Sequence, residues 1–577
     1  MKARIAPSAS AAGPSRRFAA LAGLAIVGAG LAAYAGSFSG PFIFDDGASI
    51  LGNPTIRHFW SALSPPHAGG LTVNGRPVLN LSLALNYAVS GEEVWSYHAL
   101  NLAIHLLAAL VLFGIVRRTL ARVPGPGREA GLLAAAIAAW WAVHPLQTEA
   151  VTYVIQRAES LMGLCYLLTL YGFIRYAGFP TPAAGARAAR AWAALSVVAC
   201  LLGMATKEVM VSAPVLVLLY DRTFVAGSFR RAWQARRPYY GLLAATWLLL
   251  AGLVAGTGGN RGGSVGFGVA PAWPYWLSQF GAITRYLRLA VWPHPLVFEY
   301  GAQRVTQPGA VLPAAVLVLL LAAGTAAALW RRPALGFLGA WFFAILAPTS
   351  LLPGTTETTV EYRMYLPLAA VLAGLALALH QRLGKWGLLP VLAAIAACAV
   401  LTARRNEDYR SAVAIWSDTV AKRPENARAH YDLGYALFHA GQPAEAIAEY
   451  REAIRLRPDD AEAHNNLGNA LAQSGRAPEA IAEYHEALRL HPNYAAAHNN
   501  LGNTLAQSGR LAEAVEQFRA VVGLDPGYAK GHRSLAQALA DLGRRDDAIA
   551  QYQEALRLDP GDPWARNNLA ELQAAPR

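Results

Sequence analysis

The chain has 577 residues, 55% of them hydrophobic and 15% charged, with a formal net charge of +13 and a mean hydropathy of +0.28. Soluble globular proteins carry about 25% charged residues, so this balance excludes an ordinary soluble enzyme and indicates an integral membrane protein. Much of the Lys and Arg sits in short links between apolar segments, as at Arg117-Arg118, Arg230-Arg231, Arg236-Arg237 and Arg331-Arg332; that is a topology signal for a membrane-lipid environment, and no nucleic-acid partner is expected from it.

Residues 1–17 are polar and carry Lys2, Arg4, Arg16 and Arg17, which predicts a cytoplasmic N-terminal tail. An apolar run follows from Phe18 to about Gly36. The small residues AAYAGS that close it also fit a signal-peptide cleavage site, but a retained helix suits the membrane segments behind it. Residues 37–97 form a long first outer loop. It opens on FIFDDGASILGNP, Phe42 to Pro54, with the adjacent carboxylates Asp45 and Asp46 at the membrane edge.

Membrane helices are predicted at about 98–116, 129–144, 160–176, 191–206, 209–224 and 239–256, then at 309–330, 334–352, 364–381 and 386–403. The Gly-rich GTGGNRGGSVGFG follows no strand and has no Walker-type Lys, so it reads as a flexible outer loop and not as a phosphate cradle. The stretch 276–292 is apolar but contains Arg285 and Arg288. Two arginines make a central membrane position costly, which favours an interfacial helix there. The count is then eleven membrane helices, against twelve if that stretch crosses. Eleven crossings from a cytoplasmic N-terminus put the C-terminus outside, although Arg404 and Arg405 pull locally the other way. Cys165, Cys200 and Cys398 lie inside apolar segments without CxxC spacing, so they imply neither a disulfide framework nor a zinc site.

From about residue 404 the composition turns to charged, soluble helix. Pro424, Pro458, Pro492, Pro526 and Pro560 stand 34 residues apart, and Ala412, Ala446, Ala480, Ala514 and Ala548 keep the same period, as do Trp416, Tyr450, Tyr484, Phe518 and Tyr552. This is the tetratricopeptide pattern of paired helices. Full repeats are predicted at 427–460, 461–494, 495–528 and 529–562, with a half repeat before them and a closing helix after. Such a stack presents a concave groove. Asn466, Asn469, Asn500 and Asn503 lie three apart on first helices, where they could clamp a peptide backbone or be solvated surface. The fold class is therefore all-α: a polytopic helix bundle followed by a tetratricopeptide-repeat solenoid.

One of Asp45 and Asp46 could act as a general base on an acceptor hydroxyl; the same DDG and NP signals also fit plain turn chemistry. Other ionisable residues fall on the same side under the predicted topology: Arg76, His144, Glu149, Arg157, Glu159, Lys207, Glu208, Glu361 and Arg363. Arg and Lys there suit a phosphate or diphosphate; each could equally be half of a structural ion pair. No His spacing suggests a metal site, though His144 beside Glu149 is a candidate for a divalent cation.

In their order, FDDGASILGNP, GRPVLNLSLALNY, YHALNLAIHLL, HPLQTEAVTYVIQRAES, the Lys207-Glu208 pair, VEYRMYLP and the trailing repeats resemble the transmembrane and tetratricopeptide-repeat O-mannosyltransferases, with related bacterial proteins of the GT-C glycosyltransferase fold. The resemblance implies a polyprenyl-phosphate sugar as co-substrate, inverting transfer on the outer side, and a protein Ser or Thr acceptor recruited through the repeat groove. It implies Asp45 or Asp46 as the base, and Arg157, Lys207 and Arg363 as ligands of the donor phosphate, with Arg76 in the same set. Transfer onto a cell-envelope glycan or lipid, and a membrane-anchored repeat scaffold without activity, are the competing readings. High Ala, Gly and Arg usage is compatible with a GC-rich bacterial genome and hence an inner-membrane location.

Overall fold

The computed structural model describes residues 16–66, 71–179, 186–259, 261, 272–301, 305, 308–353 and 358–574. The chain divides into two compact units, residues 1–415 and 416–577. Among the described residues the regular elements are all helices. The N-terminal tail before Arg16 and most of the Gly-rich loop lie outside the described residues.

Unit 1 contains α1 (Arg16–Ala33), α2 (Pro77–Ser90), α3 (Trp95–Leu120), α4 (Ala130–Ala142), the short α5 (Thr148–Thr152), α6 (Arg157–Tyr176) and α7 (Ala186–Met204). It continues with α8 (Ala213–Phe224), α9 (Phe229–Gly256), α10 (Ala272–Val291), α11 (Pro308–Arg331), α12 (Pro333–Leu351), α13 (Pro367–Leu383) and α14 (Leu388–Asp408). Seven segments are long and apolar enough to cross a membrane when Pro367–Asp408 is counted once, and α4 with residues 145–152, bent by 54°, makes an eighth. Helix α9 kinks at Arg236, where φ is −140°; the ring and missing N–H of Pro238 two residues on exclude a straight helix.

The first outer loop is not all loop. Helix α2 lies inside it, with Pro77 at its first turn and Gly91 ending it at φ 60°. Proline presets a helical start, and glycine tolerates the left-handed exit.

Side-chain bonds group the helix ends. At one end Arg122 donates to the Tyr220 hydroxyl at 3.0 Å, Arg222 to the Leu329 carbonyl at 2.7 Å, and His380 lies 3.3 Å from Glu129. At the other end Asn406 donates to the Ala33 carbonyl at 3.1 Å, and Thr402 to that of Val143 at 2.8 Å. Helices α13 and α14 therefore form a hairpin: Trp141 donates to the Tyr365 carbonyl just ahead of α13, beside the end of α14. Arg405, which opposes the predicted topology, is buried, donates to Asp408 at 2.9 Å and stacks over Tyr409. Its charge is compensated locally.

Helix α10 keeps to that second end along its whole length. Tyr275 bonds to the Thr349 carbonyl, Gln279 to that of Thr358 at 3.0 Å, and the Tyr286 hydroxyl accepts from Val360 N–H at 3.0 Å; near its end the Ala290 carbonyl meets His144 at 3.2 Å. α10 is not among the segments apolar enough to span.

α15 (Ala412–Lys422) straddles the division between the units. Unit 2 then pairs α16 (Ala427–His439) with α17 (Pro443–Leu456), α18 (Ala461–Gln473) with α19 (Ala477–Leu490), α20 (Ala495–Gln507) with α21 (Leu511–Leu524), and α22 (Ala529–Asp541) with α23 (Arg545–Leu558); α24 (Pro563–Ala574) closes the stack. The recurrent glycines are explained by the recurrent aromatics. A Cβ on Gly468 would stand 2.6 Å from the Tyr484 ring, and one on Gly502 2.8 Å from Phe518. A further repeat was not apparent from the Pro and Ala periods. His430, His464, His498 and His532 each bridge the two helices of a pair, to Glu449, Glu483, Gln517 and Gln551, at 2.7–2.8 Å. Their other ring nitrogen meets the carbonyl of the repeat's Pro.

Candidate active site

Six stretches, irregular apart from short helical turns, meet at the second end of unit 1: residues 40–53, 71–76, 143–156, 205–212, 294–301 and 358–366. Each joins helices whose ends are held there, so the polar residues between them are brought into one layer.

Phe44 sets the first stretch. Its φ is 50°, a left-handed conformation that a bulky residue rarely adopts. The turn sends the two aspartates to different partners. Asp46 is fully buried, and its oxygens accept the N–H groups of Ile43 at 3.0 Å and Ile155 at 2.8 Å. Burial pushes its carboxyl up to about 8, against those two backbone bonds, which lower it. Asp45 is half-buried. Its N–H donates to the Tyr153 hydroxyl at 2.9 Å, and its carboxylate accepts from the Thr72 hydroxyl at 3.3 Å.

Thr72 connects Asp45 to the cations. Its carbonyl accepts from Arg76 at 3.1 Å, and the other end of the fully buried Arg76 guanidinium donates to both oxygens of Glu208, at 3.0 and 3.2 Å. Burial pushes the Glu208 carboxyl up, but Arg76, Lys207 and Arg261 together pull it down to about 2. Next in sequence, Lys207 Nζ lies 2.7 Å from Glu159 and over the Tyr362 ring at 4.6 Å. Tyr362 N–H donates to Glu149 at 2.9 Å. Glu361 accepts from Val297 N–H and the Tyr300 hydroxyl, both at 2.7 Å, and Arg285 lies over the Tyr300 ring. Arg363 is buried close by, with Nη1 3.4 Å from the Thr358 carbonyl.

Asp45, Arg76, Lys207, Glu208, Glu149, Glu361 and Arg363 thus belong to one connected layer. Arg157 stands apart in kind. Its guanidinium is fully buried and donates to Asn101 at 2.5 Å, Asn86 at 2.6 Å, and the carbonyls of Ser82 and Tyr97 at 3.0 Å. It clamps α2, α3 and α6 together. His144 does not form a cation site with Glu149: Nδ1 accepts Leu146 N–H, and Nε2 meets the Ala290 carbonyl. Among the described residues no three His, Cys, Asp or Glu side chains gather as metal ligands.

Arg261 carries no sequence signal of a site, since a Gly-rich context reads as a flexible loop. It is buried, donates to the carbonyls of Gly75 at 2.8 Å and Met204 at 2.7 Å, and leaves Nη1 without a hydrogen-bond partner. Gly75 permits this approach: its φ is 67°, and a Cβ there would sit 3.0 Å from the Arg261 side chain.

In unit 2 the four asparagines differ. Asn466 donates to the Tyr431 hydroxyl at 2.9 Å, Asn500 to Asn465 at 3.0 Å, and Asn469 accepts from the Tyr484 hydroxyl at 2.8 Å. Asn503 faces Phe518, which has no hydroxyl; it is exposed and lines a cavity of about 350 Å³ with Arg533, Gln537 and Trp564.

Family models for the tetratricopeptide repeat match residues 399–461, 440–494 and 465–529, and a TPR repeat model matches 536–575. Among curated proteins, Protein O-mannosyl-transferase Tmtc1 of Drosophila melanogaster is 26% identical over 334 residues, covering 52% of this chain and 36% of that protein. Tmtc2 of the same fly is 29% identical over 207 residues, covering 33% and 20%. Human TMTC1 is 31% identical over 160 residues, covering 26% and 17%. The chain contains tetratricopeptide repeats and is similar to the protein O-mannosyl-transferases. That agrees with the resemblance carried by the membrane motifs. The matches span about a third or less of the length of these relatives. Among solved structures, MamA is 24% identical and covers 27% of this chain and 91% of its own, at a TM-score of 0.26. YrrB, described as a TPR protein with an unusual peptide-binding site, is 26% identical and covers 30% and 88%, at 0.26.

Proposed function

We propose that this chain is a membrane glycosyltransferase that moves a sugar, mannose by similarity to its relatives, from a polyprenyl phosphate to a Ser or Thr hydroxyl of a protein. The observation that carries the reading is the link from a half-buried aspartate through Thr72 to buried cations: Asp45, Thr72, Arg76, Glu208, with Lys207 next in sequence. Asp45 is the base. Its carboxylate takes the proton of the acceptor hydroxyl as that oxygen attacks the anomeric carbon. The bond from that carbon to the phosphate oxygen breaks on the opposite face, so the configuration inverts and polyprenyl phosphate leaves. Charge builds on the departing phosphate, where fixed cations act most strongly. Arg76, Lys207, Arg261 and Arg363 supply them. Asp46 and Arg157 hold the turn and the helices, and Glu149, Glu208 and Glu361 hold the cationic stretches in register.

The site faces outward in this reading. Counting α13 and α14 separately, the bent α4–α5 pair once, and α6 and α8 as crossings gives eleven, with α10 in the interface. The N-terminus is then cytoplasmic and the repeats lie on the outer, periplasmic side of a bacterial inner membrane. The repeat groove, with Asn503 exposed in it, presents the acceptor protein.

The test uses purified full-length protein, labelled polyprenyl-phosphate mannose and acceptor peptides. Asp45→Asn is expected to cost at least about 100-fold in transfer, the usual reach of a general base, with melting unchanged. Full activity of that variant, or no transfer from any lipid-linked sugar, refutes the reading. Labelling a single cysteine in the repeats from the cytoplasmic side alone refutes the topology.

A further inference from the structure

A cleft of about 690 Å³ opens at the basic end of unit 1, opposite the loop layer. Its inner wall reaches Leu112, Leu170 and Trp341, and its mouth lies at Pro124, Arg332 and His380. Along α3 it runs from Leu112 to Leu120, which at about 1.5 Å per residue is about 12 Å, and it continues past the helix end to Val123. The hydrocarbon core of a bilayer is about 30 Å thick, so the cleft is one leaflet deep.

Polarity is confined to the mouth. The Thr119 and Tyr220 hydroxyls bond each other at 2.8 Å, and Arg122 donates to Tyr220 at 3.0 Å. Arg332 lines the mouth and is exposed, and Arg222 reaches the Leu329 carbonyl three residues before it. The nearby carboxylates are engaged: Glu129 lies against His380 at 3.3 Å, and the buried Asp221 pairs with Arg236 at 2.9 Å. The mouth is therefore basic above an apolar channel.

We propose that this cleft is a binding site for one hydrocarbon chain of an anionic glycerophospholipid of the adjoining leaflet, with its phosphate at Arg332 and with Arg122, which bonds the cleft-lining Tyr220 hydroxyl, as the second positive charge. Depth and charge both select that occupant. A chain of many isoprene units would overrun a one-leaflet channel, and a zwitterionic headgroup would leave the arginines less well matched. The site is remote from Asp45, so it does not depend on the proposed transfer reaction.

Gly374 gives a clean test. It lines the cleft, and a Cβ there would meet only Leu338, at 3.9 Å. Gly374→Leu projects a side chain into the channel and favours helix. Delipidated full-length protein in mild detergent is titrated with dioleoylphosphatidylglycerol or dioleoylphosphatidylcholine and read by native mass spectrometry. Wild type is expected to retain one phosphatidylglycerol about tenfold more tightly than phosphatidylcholine, two arginines being ample for that preference. Gly374→Leu is expected to lose the bound lipid while its circular dichroism stays unchanged, and Arg122→Ala with Arg332→Ala to lose the headgroup preference. Equal affinity of wild type for the two lipids, unchanged binding by Gly374→Leu, or tighter binding of a polyprenyl phosphate overturns the proposal. Should Gly374→Leu fail to fold, the headgroup preference of wild type against the double arginine variant decides.

Discussion

Replacing Arg157 by Ala separates a structural clamp from a phosphate ligand. In the structure its donors satisfy Asn101, Asn86 and the carbonyls of Ser82 and Tyr97, all within a buried junction of α2, α3 and α6. Removing the guanidinium leaves two acceptors unpaired, the side-chain oxygens of Asn101 and Asn86, because the Ser82 and Tyr97 carbonyls keep their helical N–H partners. Each unsatisfied buried group costs roughly 1–3 kcal/mol. Some relief comes from side-chain rotation and from water entering the space, so the lower half of the summed range, about 3 kcal/mol, is expected. In a unit of this size about 2 °C or less is lost per kcal/mol, which gives a fall of about 4–6 °C.

The assay is thermal melting of detergent-purified protein, followed by donor binding at a temperature where both forms are folded. Arg157→Lys is the control. Lysine keeps the charge but not the planar fork, so a clamp loses much of its stability while a phosphate site retains much of its affinity. Arg157→Ala with wild-type melting and weakened donor binding would refute the clamp and return Arg157 to the donor set.

Asp46 carries a pH signature. Burial raises its carboxyl to about 8, so the folded state binds the proton more tightly than the unfolded one, and stability falls as pH rises from about 4 to about 8; wild type should melt lower at pH 8.5 than at pH 5.5, and Asp46→Asn should close most of that gap. Glu208 runs the other way: its carboxyl is held at about 2, so its contribution is present above its unfolded value near 4.5 and fades as pH drops toward 2, a loss that Glu208→Gln should abolish in acid-inactivation curves. Gly163→Ala should destabilise unit 1 by about 1–3 kcal/mol, because a Cβ there would lie 2.5 Å from the Tyr365 ring, and unchanged melting would show that the ring can give way. In the repeats, Glu449 and Glu483 raise His430 and His464 despite partial burial, which alone would lower them; that support is complete in mild acid and lost as pH rises through the folded values, so proteolysis of residues 427–490 should quicken from pH 6 to pH 8 in wild type, but not in Glu449→Gln with Glu483→Gln.

The repeats were legible because a 34-residue period is written in Pro, Ala and aromatic positions that the packing requires. Seven of the membrane segments, or eight with the bent pair, were legible from hydropathy, and α10, with two arginines inside its apolar stretch, falls outside that set. Helix α2 is marked in the sequence only by Pro77 and Gly91 at its ends, and the length of the segment between membrane helices suggests a loop instead. The division of labour among the cations was not legible at all. Arg157, Arg76 and Lys207 look alike in sequence. What separates them is the company each keeps: amide and backbone oxygens around Arg157, carboxylates beside Arg76 and Lys207. Those partners lie 132 residues away for Arg76 and Glu208, and no local pattern records them.

The same holds for the two aspartates, and the turn at Phe44 explains why. Both aspartates lie in a helical turn, Asp46 with φ −59° and ψ −37°, and the turn sends one carboxylate inward to Ile43 and Ile155 N–H and leaves the other beside Thr72. Holding Phe44 at φ 50° costs about 1–2 kcal/mol relative to an ordinary conformation. Its ring packs edge-on to Phe298 at 6.1 Å, and Tyr153, which accepts the Asp45 N–H, packs against the same Phe298 at 5.2 Å. The strained residue and the bond that positions Asp45 therefore share one aromatic support. The inward carboxylate anchors the turn to the start of α6, and the outward one stays accessible. One aspartate thus holds the turn, and the other is left half-buried beside Thr72, where the proposed base stands.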